Sequence, residues 1–353
     1  MKDKITLGIP IYNARDLIEQ TLLSVLNQTY TNIEYIFVDD KGNSMDVVRR
    51  VVSEHPRKSA VRIIDQKQNQ GIGAARNAIL DNTTGKYLFT MDCDDVIVPN
   101  CLELLYNKMQ EHPVDFVAAS FVQINMDSKQ YGGWQYKEDK LVEGINHPVA
   151  RYRYAQKHEI YVAAWNKLYD VSFLQKYNIR CKVGHFNEDP WFTYQVIINA
   201  SSCRLIPDCT LFYTTNPKSV SGLSAAKGYS EVIARQYIDI EQLKSAYIRP
   251  LAGCSFYRGL LIDIMKMSAY HAYRIGTSSS LTKDLQRELQ MIALNPPLTL
   301  PLNNYIGGKS LMYHMLRMFF ALPTKCKVGL IQIAITLRLQ QNIRRWVGFH
   351  HKQ

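Results

Sequence analysis

The chain lacks the cysteine spacing of a metal or disulfide scaffold. Its seven cysteines (Cys93, Cys101, Cys181, Cys203, Cys209, Cys254 and Cys326) are scattered, odd in number and free of any CxxC pair. That argues against a zinc site and a disulfide framework, and suits a reducing compartment. No apolar run approaches the roughly 18 residues of a membrane span. The N-terminal MKDKITLGIP has no apolar signal-peptide core, so a cytoplasmic location is expected. A dinucleotide fingerprint is also missing, because GIG at 71–73 is followed by Arg76 where GxGxxG needs a third glycine. GIPIYNARD offers no basic phosphate-binding loop of the kind a nucleotidyltransferase would want, and no nucleic-acid-binding motif occurs.

What is present is an ordinary globular composition with an uneven charge. Of 353 residues, 46% are hydrophobic and 21% charged, enough for one large domain or a domain with a substantial appendage. Residues 1–230 hold 26 Lys/Arg against 25 Asp/Glu, a net of +1, whereas residues 231–353 hold 16 against 6, a net of +10. Two parts with different jobs are expected, a domain over 1–225 (halves about 1–100 and 101–225) and a basic, mainly helical region over 226–353.

The first part alternates strand-like and helix-like stretches. KITLGIPIYN reads as a strand, and ARDLIEQTLLSVLNQTY as a helix with Leu17, Ile18, Leu22, Val25 and Leu26 at helical spacing. NIEYIFVDD, AVRIIDQ and KYLFTMD continue the strands; MDVVRRVVSEHP and GIGAARNAILDNTTG continue the helices. This order predicts an α/β domain with a mostly parallel, Rossmann-like sheet flanked by helices. Ligands of such sheets sit beyond the carboxyl ends of the strands. Asp39 and Asp40 fall at one such end, and Asp92, Asp94 and Asp95 of FTMDCDD at another. Carboxylates that close repel one another unless a hard divalent cation such as Mg or Mn, which prefers oxygen ligands and bridges phosphates, compensates them. A solvated acidic turn is the plain alternative.

Four segments appear in one order: IPIYNARDLIEQTLLSVLNQTYTNIEYIFVDD, NQGIGAARNAILDNTTGKYLFTMDCDD, AAWNKLY and NEDPWF. Together they resemble the family-2 glycosyltransferases of GT-A fold, over about residues 4 to 220. The resemblance implies an inverting, metal-dependent transferase of hexosyl or N-acetylhexosaminyl type. It would use a nucleotide-sugar donor, UDP-sugar favoured, and a glycan or lipid-linked acceptor in surface-polysaccharide assembly. Motif by motif, Pro10, Tyr12 and Asn13 match the loop receiving base and ribose. Asp39, with Asp40 beside it, matches the acceptor of a uracil hydrogen bond. Gly71 and Arg76 match the segment near the donor, where Arg76 would offset diphosphate charge or else pair with Asp81 or Asp92. Asp92 and Asp94, separated by Cys93, match the DxD pair, with Asp92 on the ribose or sugar side and Asp94 on the metal; Asp95 extends it.

Glu188 and Asp189 match the family's Glu-Asp motif, with Asp189 the expected general base and Glu188 orienting the loop. Pro190 and two acids are also what an ordinary helix start carries, and His185 is a weaker candidate base. Trp165, Asn166 and Lys167 match the acceptor side, Trp165 being expected to be partly core. Two departures stand out. Lys41 occupies a turn position where glycine is common, and Thr214 stands where an arginine often follows the aromatic pair, leaving Lys218 to replace its phosphate contact. A catalytically weak sugar-nucleotide-binding protein with a partner-recruiting tail remains the other reading.

In the basic region, SEVIARQYIDIEQLKSAYI, CSFYRGLLIDIMKMSAYHAYRI and DLQRELQMIALN read as helices. The stretch from Tyr313 onward mixes bulky apolar residues with Lys/Arg, as interfacial helices do. Ile331, Ile333, Ile335, Leu337 and Leu339 alternate, so a strand stays open there. An anionic membrane surface at the inner face of the plasma membrane, packing on the core and a homo-oligomer contact are all compatible with this composition; nucleic acid is not expected.

Overall fold

The computed structural model describes residues 2–125, 131–185, 187–215, 228–299 and 311–339. Lys218 and the segments 309–310 and 340–353 of the basic tail lie outside the described residues. The chain forms two compact units, Met1–Ala150 with Ile160–Thr215, and Arg151–Glu159 with Asn216–Gln353.

The first unit starts with β1 (Ile5–Ile11), α1 (Ile18–Leu26), β2 (Ile33–Asp39), α2 (Met45–Glu54), β3 (Val61–Asp65), α3 (Ile72–Asn82) and β4 (Tyr87–Thr90). Every residue of β1 is buried, as a central parallel strand covered on both faces must be. α1 is shorter than the 14–30 stretch predicted for it. Residues 14–17 form a turn in which Leu17 N–H bonds to the Ala14 carbonyl, and Ile18, Leu22, Val25 and Leu26 supply the buried face.

The unit continues with β5 (Val96–Ile97), α4 (Cys101–Glu111), β6 (Phe116–Asn125), β7 (Tyr131–Trp134), β8 (Lys140–Glu143) and α5 (Pro148–Ala150). It closes with β9 (Lys167–Asp170), α6 (Val171–Lys176), α7 (Glu188–Asn199) and β10 (Ser202–Thr215). All ten strands join one sheet in the order β3-β2-β1-β4-β9-β6-β10-β5, with β7 on β6 and β8 on β10. The parallel pairing expected from the alternation holds across β3-β2-β1-β4. It gives way to antiparallel pairing on both sides of β9, then resumes between β6 and β10. The β6–β10 register shifts between Ile206 and Cys209, where Pro207 has no N–H to give the ladder.

The second unit is helical: α8 (Glu231–Tyr247), α9 (Tyr257–Gly276), α10 (Lys283–Ala293), α11 (Leu311–Ala321) and α12 (Thr324–Thr336). Ser230 and Thr282 cap α8 and α10 by accepting from Ile233 N–H and Leu285 N–H. A core of Ala234, Ile238, Tyr273, Ile275, Leu289 and Ile331 joins them. The alternative of a strand over 331–339 is thereby corrected: Ile331, Ile333 and Ile335 lie on α12. Both faces of that helix carry apolar residues, which hid its period.

Candidate active site

All carboxylates singled out in the sequence lie in the first unit. Their arrangement begins with α3. Gly71 precedes it at φ 85°, in the left-handed region that favours glycine. In its first turn, a Cβ on Gly73 would sit 2.5 Å from the Lys182 carbonyl oxygen, so glycine is what lets α3 approach segment 181–182 this closely. Asn77 then clamps that segment in both directions. Its Nδ2 donates to the Cys181 carbonyl (3.0 Å), and its Oδ1 accepts from Cys181 N–H (2.9 Å). The chain running into Glu188 and Asp189 is thus fixed against the helix that carries Arg76.

Arg76 is 2% exposed and bonds three carboxylates. Its Nη2 donates to Asp92 Oδ1 at 2.6 Å and its Nη1 to Asp189 Oδ1 at 2.6 Å, with Glu188 Oε1 also in contact. Burial would lower its pKa, but Asp189, Asp92 and Glu188 outweigh burial and hold it well above the ordinary arginine value. Of the two partners open in the sequence, Asp92 is found; Asp81 pairs with Arg180 instead. Burial pushes Glu188 up against the downward pull of Arg76, and Asp92 shows the same opposition. Asp189 Oδ1 also accepts from Ala164 N–H at 2.9 Å. The described hydrogen bonds of Asp189 therefore all fall on Oδ1.

Among the described residues, no hydrogen bond or ion pair from a basic side chain reaches Asp94 or Asp95. Burial first, and Asp92 second, raise Asp94 to about 7. Asp95 is fully buried and also raised, by burial and then by Asp92 and Asp94. Asp95 Oδ1 accepts from Thr214 N–H at 2.9 Å, while its Oδ2 is buried without a partner. Thr214, the departure from the usual arginine, thus holds the acidic turn through its backbone. Cys93 faces the neighbouring loop, its Sγ lying 3.9 Å from the Tyr12 carbonyl oxygen.

At the end of β2 the carboxylates are closed by backbone. Asp39 Oδ1 accepts from Lys41 N–H at 2.8 Å, and Lys41 Nζ lies 3.3 Å from Asp39 Oδ2. Asp40 accepts from Gln70 N–H (2.7 Å) and Gly71 N–H (3.0 Å). Lys41 adopts φ 62°, which explains why glycine is common there. Pro10 is buried in β1 and Tyr12 is exposed. Asn13, at φ 48°, accepts from Asn43 N–H through Oδ1 (3.2 Å).

The residues expected on the acceptor side are buried. Trp165 is 4% exposed and stacks on Tyr213 at 5.3 Å. Asn166 donates to the Ala119 and Ser120 carbonyls. Lys167 Nζ donates to the Ala163 carbonyl at 2.7 Å, and burial lowers it to about 7. Their polar atoms serve the chain's own backbone and the Thr210 hydroxyl. His185 lies just before α7. Sequence reasoning overlooked Asn77, Tyr161 and Tyr213. Burial and then Asp189 raise the Tyr161 hydroxyl to about 12, and burial and then Asp92 raise Tyr213. Only their nearness to the acids in space marks them.

The glycosyl transferase family 2 model matches residues 6–206. The chain belongs to that family. Among curated relatives it is 28% identical over 201 residues to the glycosyltransferase GlyA of Streptococcus pneumoniae, covering 56% of this chain and 28% of GlyA. It is 27% identical over 304 residues to the uncharacterized glycosyltransferase YibD of Escherichia coli, covering 82% and 83%. With the uncharacterized glycosyltransferase EpsJ of Bacillus subtilis it shares 23% over 235 residues, covering 66% and 67%. The chain thus spans little more than a quarter of GlyA and about two thirds of EpsJ. S. aureus TarS in complex with UDP-GlcNAc superposes with a TM-score of 0.51 at 19% identity, covering 83% of this chain and 72% of that one. The fold is therefore of the GT-A kind, followed by a helical region.

Proposed function

We propose that this family-2 member is an inverting glycosyltransferase that moves a sugar from a nucleotide-diphosphate donor, UDP-sugar favoured, to a glycan or lipid-linked acceptor in surface-polysaccharide assembly. The observation that carries the reading is the buried Arg76, which gathers Asp92, Glu188 and Asp189 in the same acidic cluster as Asp94, which burial and Asp92 raise. UDP-GlcNAc in the TarS complex supports the donor class.

A divalent cation fits the donor set. Among the described residues no group of three or more metal-ligating side chains converges. Mg or Mn, however, is commonly held by one or two carboxylates and completed by substrate phosphates. Asp94, raised by burial and by Asp92, is a carboxylate that would gain from such a partner, with Asp92 beside it. When bound, the cation would neutralise the leaving diphosphate.

The chemistry assigned to the chain is general-base displacement. Asp189 is held through Oδ1 by Arg76 and Ala164 N–H, which leaves Oδ2 to accept the proton of the acceptor hydroxyl. The acceptor oxygen then bonds the anomeric carbon from the face opposite the leaving group. The bond from that carbon to the diphosphate oxygen breaks, and the nucleoside diphosphate departs with the electron pair. Glu188, buried against Arg76, positions the pair.

A panel of nucleotide sugars, each with and without Mg or Mn, tests the reading through thermal shift and donor hydrolysis. A cation-dependent response to one donor class is expected. No response to any nucleotide sugar, with the fold intact, would overturn the proposal.

A further inference from the structure

α11 and α12 are joined by a sharp bend of 119°. Each buries one side, through Tyr313 and Leu316 on α11 and Ile331 on α12. The other side of α11 exposes Leu311, Met315 and Met318, and that of α12 with its C-cap residue exposes Leu330, Ile333 and Leu337. Within each helix these positions are spaced three and four apart, so each set forms one apolar stripe. Side chains of that size in contiguous rows mark an interaction surface rather than scattered surface residues.

Charge decides what covers the stripes. The last acidic residue of the chain is Glu288, and eight Lys/Arg follow it. Lys325 and Arg338 are exposed near the two ends of α12. Lys327 is not part of this set, since its Nζ is buried on the Leu294 carbonyl and Asn295 Oδ1. Apolar stripes on two helices that carry Lys/Arg and no Asp/Glu complement an anionic lipid surface. Length excludes a crossing by either helix. With 11 and 13 residues they extend about 17 and 20 Å, against a hydrocarbon core of about 30 Å.

We propose that the α11–α12 pair lies flat on an anionic bilayer surface and seats its two stripes among the lipid headgroups. This inference uses only features of the helical unit and does not depend on the transfer chemistry.

The full chain is sedimented with vesicles of phosphatidylcholine alone and with added phosphatidylglycerol, at low and high salt. Binding is expected only with the anionic lipid and should weaken with salt, which shortens the screening length. The double variant Lys325→Gln/Arg338→Gln should lower partitioning roughly 25-fold, at about fivefold per basic residue. Met318→Ser/Ile333→Ser, both at exposed positions, should lower it by about tenfold or more. Circular dichroism confirms that each variant is folded, and the charge variant keeps the test decisive if the apolar one is not. Failure of the parent chain to sediment with anionic vesicles, or equal binding by both variants, overturns the proposal. So does a concentration-dependent dimer that the apolar variant abolishes while vesicle binding is unchanged, which would assign the stripes to a second copy.

Discussion

Aspartates end two parallel strands of one sheet, two after β2 and three after β4, and the protein treats the two groups in opposite ways. At the end of β2, backbone N–H groups of Lys41, Gln70 and Gly71 close on Asp39 and Asp40. At the end of β4, Arg76 takes one oxygen of Asp92, while Asp94 and Asp95 stay crowded and raised. The first pair shapes loops. The second group crowds carboxylates whose repulsion a divalent cation would relieve. Equal residue types at equal topological positions therefore have different surroundings, set by which donors reach them.

The largest way to break this contrast is to remove the buried guanidinium. Arg76→Met leaves Asp92, Glu188 and Asp189 without their cation, and losing one partner of a buried ion pair costs about 3–5 kcal/mol. Denaturant unfolding should show a loss of that order. A variant as stable as the parent would mean that Arg76 does not hold the cluster together. Next comes chemistry: Asp189→Asn should bind donor nearly as well as the parent while transfer falls by roughly 10²-fold or more. Robust transfer would hand the base role to Glu188 or His185. On the closed side, Asp40→Asn turns an amide N–H toward Gln70 or Gly71 and should cost about 1–3 kcal/mol. Its cation response should stay that of the parent.

A smaller effect sharpens the same comparison at Lys41. The residue sits at φ 62°, and a left-handed conformation costs a non-glycine residue roughly 1–2 kcal/mol. Lys41→Gly should relieve part of that strain and release Asp39 Oδ2 from the ammonium. Thermal unfolding at unchanged or slightly higher temperature is expected, and a clear drop would show that the Asp39 ion pair outweighs the strain. The comparison can also be sharpened by pH. Asp94, raised to about 7 in the folded chain, has an ordinary value near 4 when unfolded. Between those values the folded state binds more protons than the unfolded one. Cation-free stability should therefore fall as pH rises from about 4 to about 7, then level off. Urea midpoints across that range, without and with Mn, check it; the cation should flatten the slope.

The strand–helix alternation of residues 5–90 was readable because each apolar run is bounded by a turn and the acids fall at strand ends. What joins the acids was not. Arg76 meets Glu188 and Asp189 across more than a hundred residues, and no local pattern encodes such a pair. Local reading likewise missed the burial of Asn166 and Lys167, since polar side chains are placed inside only when distant carbonyls satisfy them. The helix over 324–336 escaped because α12 is apolar on both a buried and an exposed face, and alternation in two-residue steps then mimics a strand.

The cation dependence of nucleoside-diphosphate binding should reside in the β4 cluster and not in the β2 pair. Isothermal titration of UDP into the parent chain and Asp94→Asn, with and without Mn, tests it most directly. The parent should bind UDP far more tightly with Mn, and Asp94→Asn should lose most of this cation-dependent gain while remaining folded. Parent-like affinity and parent-like cation dependence in Asp94→Asn would contradict it.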